Sequence, residues 1–73
     1  MALHTFQLDG EFIELFVLIK LLALASSGGA AKAIIAEGLV SVDGVVETRK
    51  ARKLRAGQIV RLASEEIRIV AAG

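Results

Sequence analysis

Residues Thr5-Phe6-Gln7-Leu8 alternate polar and apolar side chains, the period-two pattern of a short strand. From Glu11 to Ala25 the period changes. Phe12, Leu15, Phe16, Ile19 and Ala23 recur at the i, i+3, i+4 spacing of a helix and define one broad apolar face. Glu14 marks the opposite side, yet Val17, Leu18 and Leu21 lie near it, so the predicted helix is apolar almost all round and its second stripe needs a cover. Ser26-Ser27-Gly28-Gly29 breaks the pattern. Ser27 is placed to cap a second helix of about ten residues, because its hydroxyl can accept a bond from an orphaned amide at the helix start. Ala31, Ile34 and Ile35 form the inward stripe of that helix, and Gly38 suits the left-handed position at which many helices end.

Residues 39–42 and 45–48 flank Asp43-Gly44, a dipeptide that tolerates the positive φ angles of a type I′ turn, and so predict a hairpin. Two further alternating segments, 58–62 and 67–70, are separated by the polar turn Ser64-Glu65-Glu66. Pairing Leu62 with Ile67 across that turn would set Arg61 opposite Arg68, a like-charge pair that disfavours a sheet unless Glu65 or Glu66 neutralises it. The order strand, helix, helix, hairpin, basic loop, hairpin predicts an α+β fold, with two helices on one side of a small, mostly antiparallel sheet. A chain of 73 residues has room for one core, so a single domain over residues 1–73 is expected.

The apolar share is high, at 55% hydrophobic residues and a mean hydropathy of +0.65, which raises the question of a membrane. A spanning helix needs about 20 nearly uncharged residues. The apolar stretch from Phe12 is interrupted by Glu14 and Lys20 and then meets the Ser-Gly break, so no crossing is predicted. Residues 1–10 carry Asp9 and lack the positive region of a signal peptide, which makes a cytoplasmic location the expectation. There is no cysteine and one histidine, His4, which excludes disulfides and the usual zinc ligand sets. His4 lies near the terminus, and the pairs Glu11/Glu14 and Glu65/Glu66 have the placement of solvated charges. No acid-base or nucleophilic site converges, so neither an enzyme nor a metal or cofactor site is predicted.

The formal net charge of +1 conceals a division along the chain. Asp9, Glu11 and Glu14 precede Lys20 with no Lys or Arg among them. Arg49, Lys50, Arg52, Lys53 and Arg55 then hold five of the nine basic residues in a window without an acid. That asymmetry favours a polyanionic partner met by one side of the domain. Because the run follows directly from the hairpin, its charges are held rather than trailing on a mobile tail. Lys32 falls in the first turn of the second helix, where the macrodipole disfavours a cation; with the amides of Gly28 and Gly29 it could hold a phosphate. All three aromatics, Phe6, Phe12 and Phe16, precede residue 17, which points away from modules that stack unpaired bases on sheet aromatics. Recognition should then rest on the backbone and shape of folded RNA. A different class of function is compatible with the same residues: a protein-interaction module docking through Val17, Leu18 and Leu21, with the basic run serving solubility. Salt separates the two, since only the ionic mode weakens steeply as salt rises.

The run from Ser27 to Gly44, SGGAAKAIIAEGLVSVDG, followed by Glu47-Thr48-Arg49-Lys50 and Gly57-Gln58-Ile59-Val60, resembles the S-four-type (ribosomal protein S-four-like) RNA-binding domain. The resemblance covers roughly residues 11–62, and the stretch from Val42 to Lys50 is most similar to the small stand-alone bacterial members described as ribosome-associated. It implies the αL motif, two helices and a hairpin that bind structured RNA, ribosomal RNA included, with a monomer expected. It also places Lys32, Arg49, Lys50, Arg52, Lys53 and Arg55 on the RNA-binding surface. Many members carry an arginine after the capping serine; here that place is Gly28. The catalytic activities linked to such modules in larger enzymes are not implied, because no catalytic domain accompanies this one.

Overall fold

The computed structural model describes residues 2–72, as a five-stranded sheet with two short helices closed over one of its faces. Strand β1 (Ala2–Leu8) lies at one edge and runs parallel to β7 (Glu65–Ala71). The order continues through β6 (Ile59–Leu62) and β3 (Val40–Val42) to β4 (Val45–Val46), with every later pair antiparallel. The sheet is therefore mixed and mostly antiparallel, as the order of patterns predicts. The inner face collects Val40, Val42, Val60, Leu62, Ile67 and Ile69, on which Leu15, Leu18 and Ile19 of α1 (Leu15–Leu21) and Ala31 and Ile35 of α2 (Gly28–Ala36) pack into one core. No helix among the described residues is long and apolar enough to cross a membrane.

Helix α1 is much shorter than the 11–25 its periodicity suggests. Ile13–Glu14 form a two-residue strand, β2, antiparallel to β5 (Lys53–Leu54), and Glu14 keeps an extended backbone with ψ of 143°. The helix therefore starts at Leu15, and its inward set under the same i, i+3, i+4 rule becomes Leu15, Leu18 and Ile19, all fully buried. Phe12 and Ala23, expected to face inward, are exposed. Leu18, expected on the uncovered stripe, is in the core. Only Leu21 of that stripe is well exposed and Val17 is half-buried, so the three do not form the continuous docking face considered above.

The other end of α1 closes on Ala23, whose φ is 57°. The amide of Ala23 donates to the Lys20 carbonyl and that of Leu24 to the Ile19 carbonyl, the paired bonds of a Schellman motif built on a residue with a Cβ. Helix α2 follows its sequence signals more closely. Ser27 Oγ accepts from the Ala30 amide at 3.1 Å, and Gly38, at φ 78°, ends the helix while its amide and that of Leu39 reach back to Ile35 and Ile34.

Asp43 and Gly44 have φ of 51° and 83°, the type I′ geometry expected of the dipeptide. The carboxylate of Asp43 also accepts from the Ile59 amide and from Gln58 Nε2, which fastens this turn to the start of β6. The last hairpin differs from expectation. Its connection is Ala63-Ser64, not Ser64-Glu65-Glu66, so Arg61 faces Glu66 rather than Arg68. The two-residue connection lets Glu65 and Glu66 enter the ladder. Opposite charges then meet, and the Glu66 carboxylate accepts from Arg61 Nε at 3.1 Å and Arg68 Nε at 3.2 Å.

A left-handed alanine carries a steric cost that glycine avoids. The substitution Ala23→Gly is expected to raise unfolding free energy by about 0.5–1 kcal/mol, the relief of strain exceeding the added chain entropy. Urea unfolding of the two proteins measures it; equal or lower stability of the variant contradicts the account.

Candidate nucleic-acid interface

The first turn of a helix has backbone amides with no partner inside the helix, and in α1 the basic segment supplies the acceptors. The amide of Leu15 donates to the Arg52 carbonyl at 2.9 Å, and that of Phe16 to the Lys50 carbonyl at 3.1 Å. With the β2–β5 pairing, these bonds lay residues 50–54 along the start of α1. Upstream, the amide of Glu47 donates to the Val40 carbonyl at 2.9 Å and carries the β3–β4 hairpin one residue further. The basic run is thus held at both ends.

Register explains what happens at Glu47. A two-residue hairpin with Val42 opposite Val45 and Ser41 opposite Val46 sets Glu47 level with Val40, on the core side of the sheet. Glu47 is 6% exposed, and its carboxylate is surrounded by donors. Oε2 accepts from the Arg49 amide at 3.0 Å and from Arg49 Nε at 3.1 Å; Oε1 accepts from Arg49 Nη2 at 3.1 Å and Arg52 Nη1 at 2.6 Å. The Arg49 guanidinium above all, with the Arg49 amide and Arg52, holds the Glu47 pKa down to about 2. The Glu47 carboxylate in turn raises that of Arg49. The window 49–55 has no acid in sequence, but in space two of its five cations share one.

Lys50, Lys53 and Arg55 have no carboxylate partner among the described residues. Two of them rest on an aromatic ring instead: Lys53 Nζ lies 4.9 Å from the centroid of Phe12, and Arg55 Cζ lies 6.0 Å from it. Lys32 Nζ is 4.7 Å above Phe16. Such contacts are each worth about 0.5–1 kcal/mol at an exposed site and keep a long side chain from wandering. Phe16 ties the two parts of the surface together, since its ring carries Lys32 and its amide holds the Lys50 carbonyl. A groove runs between Ala36 of α2 and residues 48–53.

All six residues expected at the interface are therefore gathered around the start of α1, with Lys32 on one side and the 49–55 segment on the other. All are exposed except Arg52, which is half-buried against Glu47. Sequence reasoning missed four contributors. Glu47 was detectable from hairpin register. The supporting roles of Phe12 and Phe16 were not, because they depend on where α1 packs. Lys20 is the fourth: a Cβ on Gly28 would stand 3.9 Å from Lys20 Cδ and 4.0 Å from Phe16 Cδ2, so the Lys20 stem runs beside the start of α2.

A family model described as the S4 domain matches residues 6–70 of the chain. The chain belongs to the S4 domain family. Among curated proteins, this S4 domain is 51% identical over 59 residues to YbcJ of Escherichia coli strain K12, a candidate RNA-binding protein, covering 81% of this chain and 84% of that one. An uncharacterized YbcJ of Shigella flexneri matches to the same extent. The solution structure of Escherichia coli YbcJ, reported to reveal an αL motif involved in RNA binding, superposes with a TM-score of 0.66 at 45% identity, over 97% of this chain and 89% of that one. The α1, α2 and β3–β4 arrangement is that αL motif.

Acid tests the Glu47 cluster. Its folded pKa of about 2 lies below the ordinary 4.5, so between those values the unfolded chain binds more protons and stability rises with pH. The contribution is complete above 4.5 and is lost as pH falls towards about 2. Glu66, held low by Arg68 and Arg61, adds a dependence of the same sign. Urea unfolding across this range should show wild type losing stability on acidification and Glu47→Gln losing distinctly less. Parallel curves would contradict the assignment.

Proposed function

We propose that this S4 domain binds structured RNA through its phosphates, using Lys32, Arg49, Lys50, Arg52, Lys53 and Arg55, and that it carries out no reaction. The observation that carries the reading is the convergence of cations from α2 and from the 49–55 segment on one surface, each held by a ring, a backbone bond or a carboxylate. A held array can match the spacing of phosphates along a fold, whereas a solvated tail binds polyanions indiscriminately. The names of its relatives support RNA as the polyanion. Ribosomal RNA is the first class to test, with the protein acting as a cytoplasmic monomer and needing no cofactor.

Within the six, the roles divide. Lys32, Lys50, Lys53 and Arg55 meet phosphates directly, Arg49 offers the edge of its guanidinium that Glu47 does not occupy, and Arg52 chiefly braces the loop. The sequence suggests neutralising residues 49, 50, 52 and 53 together, but removing both arginines would leave the Glu47 carboxylate buried without a cationic partner, and loss of fold would be confounded with loss of binding.

The sharper variant is Lys32→Gln/Lys50→Gln/Lys53→Gln, which leaves the Glu47 cluster intact. It should keep the fold, lose most of its affinity for a labelled RNA stem-loop, and flatten the dependence of log Kd on log salt by up to about 0.9 for each lost phosphate contact. Unchanged affinity and slope in this variant would refute the proposal.

A further inference from the structure

We infer that Glu47, an acid within the proposed anion-binding surface, is a positioning residue for RNA binding, and that its carboxylate strengthens the binding of a polyanion it would by itself repel. The inference rests on the RNA-binding reading above. A free carboxylate among these cations would oppose phosphate, and charge counting alone makes its removal favourable to binding. The geometry opposes that bookkeeping. Glu47 is 6% exposed, and both of its oxygens are turned onto donors of the loop itself.

Arg49 is gripped through Nε and Nη2, while its side chain remains 75% exposed. A guanidinium has five N–H groups in one plane, so anchoring one edge aims the remaining donors outward in a set orientation. Arg52 is 32% exposed and delivers Nη1 to the same carboxylate. Lys50 lies between these two arginines in the chain, and its own carbonyl is fixed by the Phe16 amide. The ammonium of Lys50 therefore emerges from a backbone pinned on either side by Glu47. Ordering a long side chain before binding removes that cost from the binding step.

The molecule contains its own control. Glu66 is also 6% exposed and also holds two arginines, Arg61 and Arg68, but it does so on the outer face of the sheet, away from Lys32 and the 49–55 segment. Glu66→Gln changes net charge as Glu47→Gln does and leaves the loop untouched. Glu47→Asp keeps net charge and withdraws the carboxylate by one methylene.

Anisotropy titrations of a fluorescein-labelled RNA stem-loop over a salt series, with circular dichroism to confirm folding, test the inference. Glu47→Asp and Glu47→Gln should each bind roughly three- to tenfold more weakly than wild type, the cost of ordering one long side chain on binding. The salt slope should fall by up to about 0.9 as the Arg49 contact is lost. Glu66→Gln should bind as wild type or slightly tighter. Glu47→Gln binding tighter, or Glu47→Asp binding as wild type, would overturn the inference. Failure of wild-type protein to bind, or full binding by the Lys32, Lys50 and Lys53 variant, would instead defeat the RNA reading itself. Should the Glu47 variants fail to fold, the Arg49 Nε–H resonance of wild-type protein decides: it should stay protected from solvent exchange in the RNA complex, and loss of protection on binding would overturn the inference.

Discussion

The amides at the start of α1 have to find acceptors, and they find them in the carbonyls of Lys50 and Arg52. Much else depends on that exchange. It stops β2 from joining the helix, shifts the inward face of α1 to Leu15, Leu18 and Ile19, and turns a polar, strongly charged segment into a wall with a defined position. A loop carrying five cations would otherwise repel itself into many conformations. Here its backbone bonds to a helix whose buried side the core already holds, so the stability of the core is passed on to the loop.

Electrostatics follows the same logic at smaller scale. Net charge is close to zero, yet the surface around α1 is basic, because five of the nine basic residues fall in residues 49–55 and Glu47, the acid beside them, is turned inward onto Arg49 and Arg52. Glu47 and Glu66 each face two arginines from a nearly buried position. Exposed ion pairs contribute little to stability, while a carboxylate screened from water and satisfied on both oxygens fixes geometry as well as charge. Around Glu47 that geometry includes the proposed interface; around Glu66 it closes the register of the β6–β7 hairpin.

The phenylalanines illustrate how a residue type can serve a surface without reading anything on a partner. Phe12 and Phe16 lie under Lys53, Arg55 and Lys32, where the ring face attracts a cation and limits its rotamers. Lys20 completes this picture from the far end of α1. Its stem passes beside Gly28, the residue that follows the capping serine of α2.

Features decided by neighbours in the chain were legible in the sequence: the Ser27 cap, the left-handed Gly38, the type I′ turn at Asp43-Gly44, the order of elements and the concentration of cations in residues 49–55. Each depends on backbone dihedrals or spacing over a few residues, and no distant partner competes for them. Features decided by distant partners were not. A two-residue strand at Ile13–Glu14 exists because Lys53–Leu54 pair with it, and β1 runs the length of β7 because that edge was open to it. The like-charge pair expected at Arg61 and Arg68 became a bridge through Glu66 once a shorter connection moved the register. The site divides in the same way: the sequence determined which side chains carry positive charge, and tertiary packing decided which are spent on Glu47, which rest on a ring, and that Lys32 stands beside them. Charge belongs to the residue, but its direction and its neighbours are set by contacts between segments far apart in the chain.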